Sequence, residues 1–132
     1  MTTPDELERQ HTLATATTRY DELRMRDALA TVAEDRDTPA LSQTEALELL
    51  ALSEVVIRKA GYGRQAMVRS ARGSGASWNQ IGAALGTSKQ AAWEAHTRWI
   101  EDQADRHRGT GHEGLDEDEA ERLRRLAGSP DS

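Results

Sequence analysis

From Pro4 to about Glu34 the apolar residues Leu7, Leu13, Ala16, Tyr20, Leu23, Leu29 and Val32 recur at mixed intervals of three, four and six within a polar, charge-rich stretch. That is helical spacing. Pro4 suits a first turn, and Asp5 and Glu6 complement the positive end of a helix. The longer intervals allow a break near Thr17-Thr18, so one long helix and two shorter ones both fit. Asp35 to Leu41, which contains Asp37, Thr38 and Pro39, reads as a connecting loop because proline disfavours helix for its predecessor. Ser42-Gln43-Thr44-Glu45 then has the form of a capping box. The helix it opens carries Ala46, Leu47, Leu49, Leu50, Val55, Val56 and Ile57, too dense a set for one face. Burial on two sides, or at a subunit interface, is implied.

Gly61-Tyr62-Gly63 should end or kink this helix, since glycine weakens helix interiors and tolerates the left-handed conformation of a helix end. A further helix is expected from Arg64 to Arg72, followed by a flexible turn at Gly73-Ser74-Gly75. The segment Ser77 to Trp99 divides at Gly86. Ser77 is a good N-cap for a short helix ending at Leu85, Gly86 can take positive φ, and Ser88 caps a second helix from Lys89. A three-residue connection makes two helices cross closely, and small residues stand where a bulky side chain would hold them apart: Gly82 and Ala92. Ile81, Leu85 and Ala95 fall on the inner face at helical spacing. Beyond Ile100, the stretch Arg106 to Gly114 has three glycines and two histidines and reads as a linker. Leu115 to Ala127 is expected to form a short helix, with Asp116 near its start and Arg122, Arg124 and Arg125 near its end.

Composition narrows the chemistry. The 132 residues contain no Cys and no Phe, which excludes disulfides, thiolate metal sites and thiol nucleophiles and leaves a core of Leu, Ala, Val and Ile around few aromatics. No run approaches the ~20 apolar residues needed to span a bilayer, and Met1 to Arg9 is acidic rather than a basic leader, so a cytoplasmic protein without membrane contact is expected. His11, His96, His107 and His112 are scattered, and no phosphate-binding glycine loop occurs, because Gly73-Ser74-Gly75 lacks the Gly-Lys-Ser/Thr that should follow. The acidic run Asp116 to Glu121 coats a helix or a tail rather than a metal. No catalytic residue, metal or cofactor is expected.

The formal net charge of −6 conceals an uneven distribution. Residues 1–57 sum to −7, residues 58–99 to +6 and residues 100–132 to −5. The basic block coincides with the Gly86 segment, and polyanion binding depends on such local charge.

The pattern Gly75-x-Ser77-Trp78-x-x-Ile81-Gly82 followed by Leu85-Gly86-x-Ser88-x-Gln90-Ala91-Ala92 resembles the helix-turn-helix of homeodomain-like and sigma region 4-like regulators, notably small actinobacterial-type ones. It departs from that family at Thr87, where a branched apolar residue is usual. The resemblance implies a trihelical helix-turn-helix unit (61–100) in an all-α fold; the patterns along the chain place long helices, expected to dimerise, before it (1–60) and a flexible linker and short acidic helix after it (101–132). It implies a sequence-specific regulator of double-stranded DNA with the helix from Lys89 in the major groove, and because one such helix reads only a few base pairs a homodimer is expected. Base-reading residues would then be Lys89, Gln90, Glu94 and Thr97: Gln90 suits adenine, Lys89 guanine or a phosphate, and Glu94 cytosine N4. Phosphate contacts would come from Ser77, Asn79, Thr87, Ser88, Arg64, Arg69, Arg72 and Arg98. The plainer readings are that Ser77 and Ser88 only cap, that Glu94 pairs with Arg98, and that Trp78, Trp93 and Trp99 pack rather than stack on bases. The competing function is an adaptor that shares this fold and uses its acidic ends to hold a basic protein partner such as a polymerase or sigma subunit.

Overall fold

A computed structural model describes residues 2–32 and 39–132. The described residues are all-helical, with seven helices and no strand, and the chain divides into two compact units, Met1–Gly63 and Arg64–Ser132.

The first unit contains α1 (Pro4–Gln10), α2 (Leu13–Thr31) and α3 (Gln43–Tyr62). Thr3 caps α1 by accepting from the Glu6 amide, with Pro4 in the first turn. The break in the first helical stretch falls at His11-Thr12, not near Thr17-Thr18. Thr12 and Thr15 satisfy each other's amides and start a new helix, whereas the Thr17 and Thr18 hydroxyls donate back to the Leu13 and Ala14 carbonyls and stay helical. Of the loop expected over Asp35–Leu41, residues 35–38 lie outside the described residues, as does the expected helix end at Glu34, while Pro39–Leu41 are non-helical. The Ser42–Glu45 capping box is present in both directions, at 3.1 Å each way. Gly63 caps α3 in a right-handed conformation (φ −89°), so this helix ends without a left-handed glycine.

Leu7, Ala16, Leu23, Ala51, Leu52 and Val55 form the core of this unit, where α3 packs against α1 and α2. The other side of α3 leaves Leu50 67% and Ile57 68% exposed, with Leu47 beside them, which accounts for its dense apolar composition. Arg19 bridges to Glu48 at 2.9 Å and Arg26 to Glu45 at 2.7 Å. Arg58 reaches Asp5 and Glu8, and the Tyr62 hydroxyl donates to Glu8 at 2.5 Å.

The second unit contains α4 (Arg64–Gly73), α5 (Trp78–Leu85), α6 (Lys89–Thr110) and α7 (Glu117–Ala127). Its core gathers Val68, Trp78, Ile81, Ala92, Ile100, Ala104, Leu115, Ala120 and Ala127, one stripe from every helix and the loop before α7. Two expectations are corrected here. The stretch from Arg106 is not a linker until Gly111: α6 runs to Thr110 and stops where Gly111 turns left-handed (φ 77°) and donates to the His107 carbonyl at 2.7 Å. A boundary between 100 and 101 would therefore cut a continuous helix. Nor is 101–132 a flexible tail, because Leu115 before α7 and Ala120 and Ala127 along it are buried and Arg124 clamps Glu101 and Glu117. The Leu115 amide donates to the Gln103 carbonyl at 3.1 Å. A third correction concerns Leu85, which is 39% exposed, while Trp78 fills the inner position. Among the described residues no helix is long and apolar enough to cross a membrane.

Candidate nucleic-acid interface

The turn between α5 and α6 is built from backbone hydrogen bonds and one close approach. Ser77 accepts from the Gln80 amide at 3.1 Å while Gln80 Oε1 accepts from the Ser77 amide at 2.9 Å, so α5 begins in a reciprocal cap. It ends at Gly86, left-handed at φ 73°, whose amide donates to the Ala83 carbonyl while the Thr87 amide donates to that of Gly82 at 2.8 Å. Both orphan carbonyls are thereby satisfied in the manner of a Schellman end. Ser88 then caps α6 by accepting from the Ala91 amide at 3.0 Å. A Cβ at Gly82 would sit 2.9 Å from the Ser88 carbonyl carbon and the Thr87 oxygen, and 3.0 Å from the Lys89 nitrogen. The start of α6 thus lies directly on the α5 backbone, the demand that Gly82 was expected to meet.

Beneath the turn, Trp78 is fully buried and its Nε1 donates to the Ala127 carbonyl at 2.7 Å. His96 lies 5.6 Å from the Trp78 ring and stacks on Trp99 at 5.4 Å, with Nδ1 2.9 Å from Gln65 Oε1. Burial, with the Arg69 guanidinium adding repulsion, holds the imidazole pKa down to about 4, so it is neutral at ordinary pH. His96 is a core residue that counting histidines overlooks. Its signal was position, four residues after Ala92 and four before Ile100 on the face both bury.

On α6, Gln90, Glu94 and Arg98 form an exposed row, with Thr97 half-buried beside it. Glu94 accepts from Gln90 Nε2 at 2.9 Å, so its partner is Gln90 rather than Arg98. Thr97 Oγ1 donates to the Glu94 carbonyl at 3.1 Å. Lys89 is engaged, its Nζ donating to Asp131 at 2.8 Å. Asn79, Thr87 and Ser88 are exposed and Ser77 half-buried; Arg64 and Arg69 are exposed on α4. Arg72 is not available to a phosphate. Its donors go to the Leu126 and Ala76 carbonyls at 2.8 and 3.0 Å and to Ser132 Oγ at 2.7 Å, and its guanidinium lies 5.4 Å from the Trp78 ring centre. Trp93 also packs, donating to the Gly128 carbonyl at 2.8 Å.

The charge picture shifts with the fold. Arg58 and Lys59 of the +6 block belong to the first unit, and the second, which includes the acidic stretch after Trp99, carries ten basic and eleven acidic side chains in all. The basic groups left on the turn and α4 are Arg64, Arg69 and Lys89, with Arg98 along α6. Comparison with family models, characterised proteins and solved structures finds no match to this chain.

Proposed function

We propose that the chain is a sequence-specific protein of double-stranded DNA, a transcriptional regulator, in which α4, α5 and α6 act as a trihelical helix-turn-helix and α6 enters the major groove. The observation that carries this reading is the turn at Gly86 pressed onto Gly82, which fixes α6 against α5 and leaves Gln90, Glu94 and Arg98 in an exposed row. Gln90 would read adenine, Glu94 cytosine N4, and Lys89 guanine or a phosphate, with Thr97 at the end of the row. Ser77, Asn79, Thr87, Ser88, Arg64, Arg69 and Arg98 would hold the sugar–phosphate backbone. The protein would work in the cytoplasm without a cofactor.

A single such helix reads only a few base pairs, so the reading includes a homodimer on a two-fold site. The exposed Leu47, Leu50 and Ile57 of α3 support that surface as the dimer seam. Sedimentation should show a dimer that Leu50→Asp disperses; a wild type that stays monomeric at micromolar concentration, with and without DNA, defeats this part.

The direct test is selection from a random duplex pool followed by titration at two salt concentrations. Binding should weaken steeply with salt, and Gln90→Ala should cost about 1–3 kcal/mol on the selected site and relax preference at one base pair. The adaptor reading is favoured by one observation, the absence of net positive charge on the second unit. Titrations that stay flat for every duplex would select it over DNA binding.

A further inference from the structure

We propose that residues 128–132 are a lid over the phosphate-facing edge of the α5–α6 turn, one that DNA must displace; the proposal rests on the DNA-binding reading and adds regulation to it. Gly128 ends α7 at φ 59° and ψ −143°, and the chain beyond it folds back, with the Ser132 amide donating to the Ser129 carbonyl at 3.1 Å. This short turn then touches three helices. The Gly128 carbonyl takes the Trp93 indole on α6, Ser132 Oγ takes Arg72 on α4, and the Ser132 main-chain oxygen takes the Trp78 amide of α5 at 3.2 Å.

Two of the donors it covers are those a phosphate would use. The Trp78 amide is one of the first-turn amides that no helix carbonyl can satisfy, the type of donor that holds anions at helix starts. The Lys89 ammonium at the start of α6 is the other, and Asp131 occupies it at 2.8 Å. Lys89 holds the Asp131 carboxyl below its usual range, so the lid stays anionic. An acidic side chain and a main-chain oxygen thus stand where phosphate oxygens would stand. The row Gln90, Glu94 and Arg98 shares no hydrogen bond with the lid, so it stays open while Lys89 and the Trp78 amide are masked. The Lys89–Asp131 pair is also solvent-exposed, with side chains 42% and 80% accessible, which makes it weak enough to exchange.

The test uses the full chain as wild type, Asp131→Asn, Lys89→Ala and the double variant, with Asp118→Asn as a control that removes the same charge from the far side of α7. Each is titrated with a random-sequence duplex at low and moderate salt. Asp131→Asn should tighten binding about two- to five-fold at low salt, and steepen the salt dependence by about one ion. Asp118→Asn should not match it, and the gain should vanish when Lys89 is Ala. In the wild type, adding DNA should shift the Trp93 indole N–H resonance as the lid leaves. If the wild type binds and Asp131→Asn binds no better, or gains equally without Lys89, the lid is overturned while DNA binding stands. If no variant binds at any salt, DNA binding itself falls and the lid falls with it.

Discussion

Met1–Gly63 closes six small or medium apolar side chains under inter-helix ion pairs, whereas Arg64–Ser132 buries an indole and an imidazole and partners them with an amide side chain and backbone carbonyls. The ion pairs of the first unit are part-exposed, where such contacts contribute about 0–1 kcal/mol each. Its stability must therefore come from a modest core, and its uncovered α3 stripe would add to that core if buried. The second unit leaves no such deficit. Its α5, α6 and α7 are capped, its turn is set by backbone contact, and α7 completes the core. The difference shows two ways of positioning helices: by charged side chains that can rearrange, and by buried groups with one allowed geometry.

All three tryptophans lie in the second unit, so their fluorescence follows its unfolding alone. The sharpest test of the contrast is Trp78→Ala, which empties the centre of that core and orphans the Ala127 carbonyl; it should cost about 3–5 kcal/mol in denaturant melts. A loss below 1 kcal/mol would mean the core is not the main support. Next in size is acid. The His96 pKa is depressed from 6.5 to about 4 in the folded state, so the unfolded chain binds the extra proton between those values. Stability from the neutral imidazole is complete above pH 6.5 and falls by about 3 kcal/mol by pH 4. His96→Gln should flatten that window. In the first unit, Glu45 is held down to about 2 by Arg26 and the Ser42 amide, and Glu8 is lowered by Tyr62 and Arg58. Depressed carboxyls lose their contribution only as pH falls below about 4.5, so the first unit should outlast the second on acidification when tyrosine and tryptophan signals are followed separately. If the two signals decay together from pH 6.5, the contrast fails.

Gly82→Ala comes third. Its methyl would meet backbone atoms at 2.9 Å, which no side-chain rotamer can relieve, so a loss of about 1–3 kcal/mol is expected together with weakened DNA binding. Full stability in this variant would show that α6 can step away from α5. The smallest effect should be Arg26→Ala, about 0.2–1 kcal/mol and confined to the first unit. A change several times larger would show that the ion pairs, not the apolar core, hold α2 to α3.

Local signals were legible where one stretch of chain supplies both partners. Ser42 with Glu45, Ser77, Ser88 and Asp116 are caps that satisfy amides within one turn, and Gly86 is the left-handed stop its neighbours require. The break at Thr12 was missed because Thr15 completes that cap as readily as Glu does, a weaker signature than Ser42–Glu45. Glycines misled in the other direction: Gly109 sits inside α6, because Ile100 and Ala104 anchor the helix and carry it past a residue that only weakens it.

What the sequence by itself determined is therefore the all-helical character, the caps and the Gly86 turn with its close neighbour Gly82, all set by spacing along the chain. Tertiary structure alone decided which groups remain free. Arg72, Lys89, Trp93 and His96 find partners 31 to 60 residues away, and the acidic stretch after Trp99 packs into the same unit as the basic turn. The physical reason is that a cap is a contact between near neighbours, whereas a cation's availability depends on whatever acceptor the fold delivers to it.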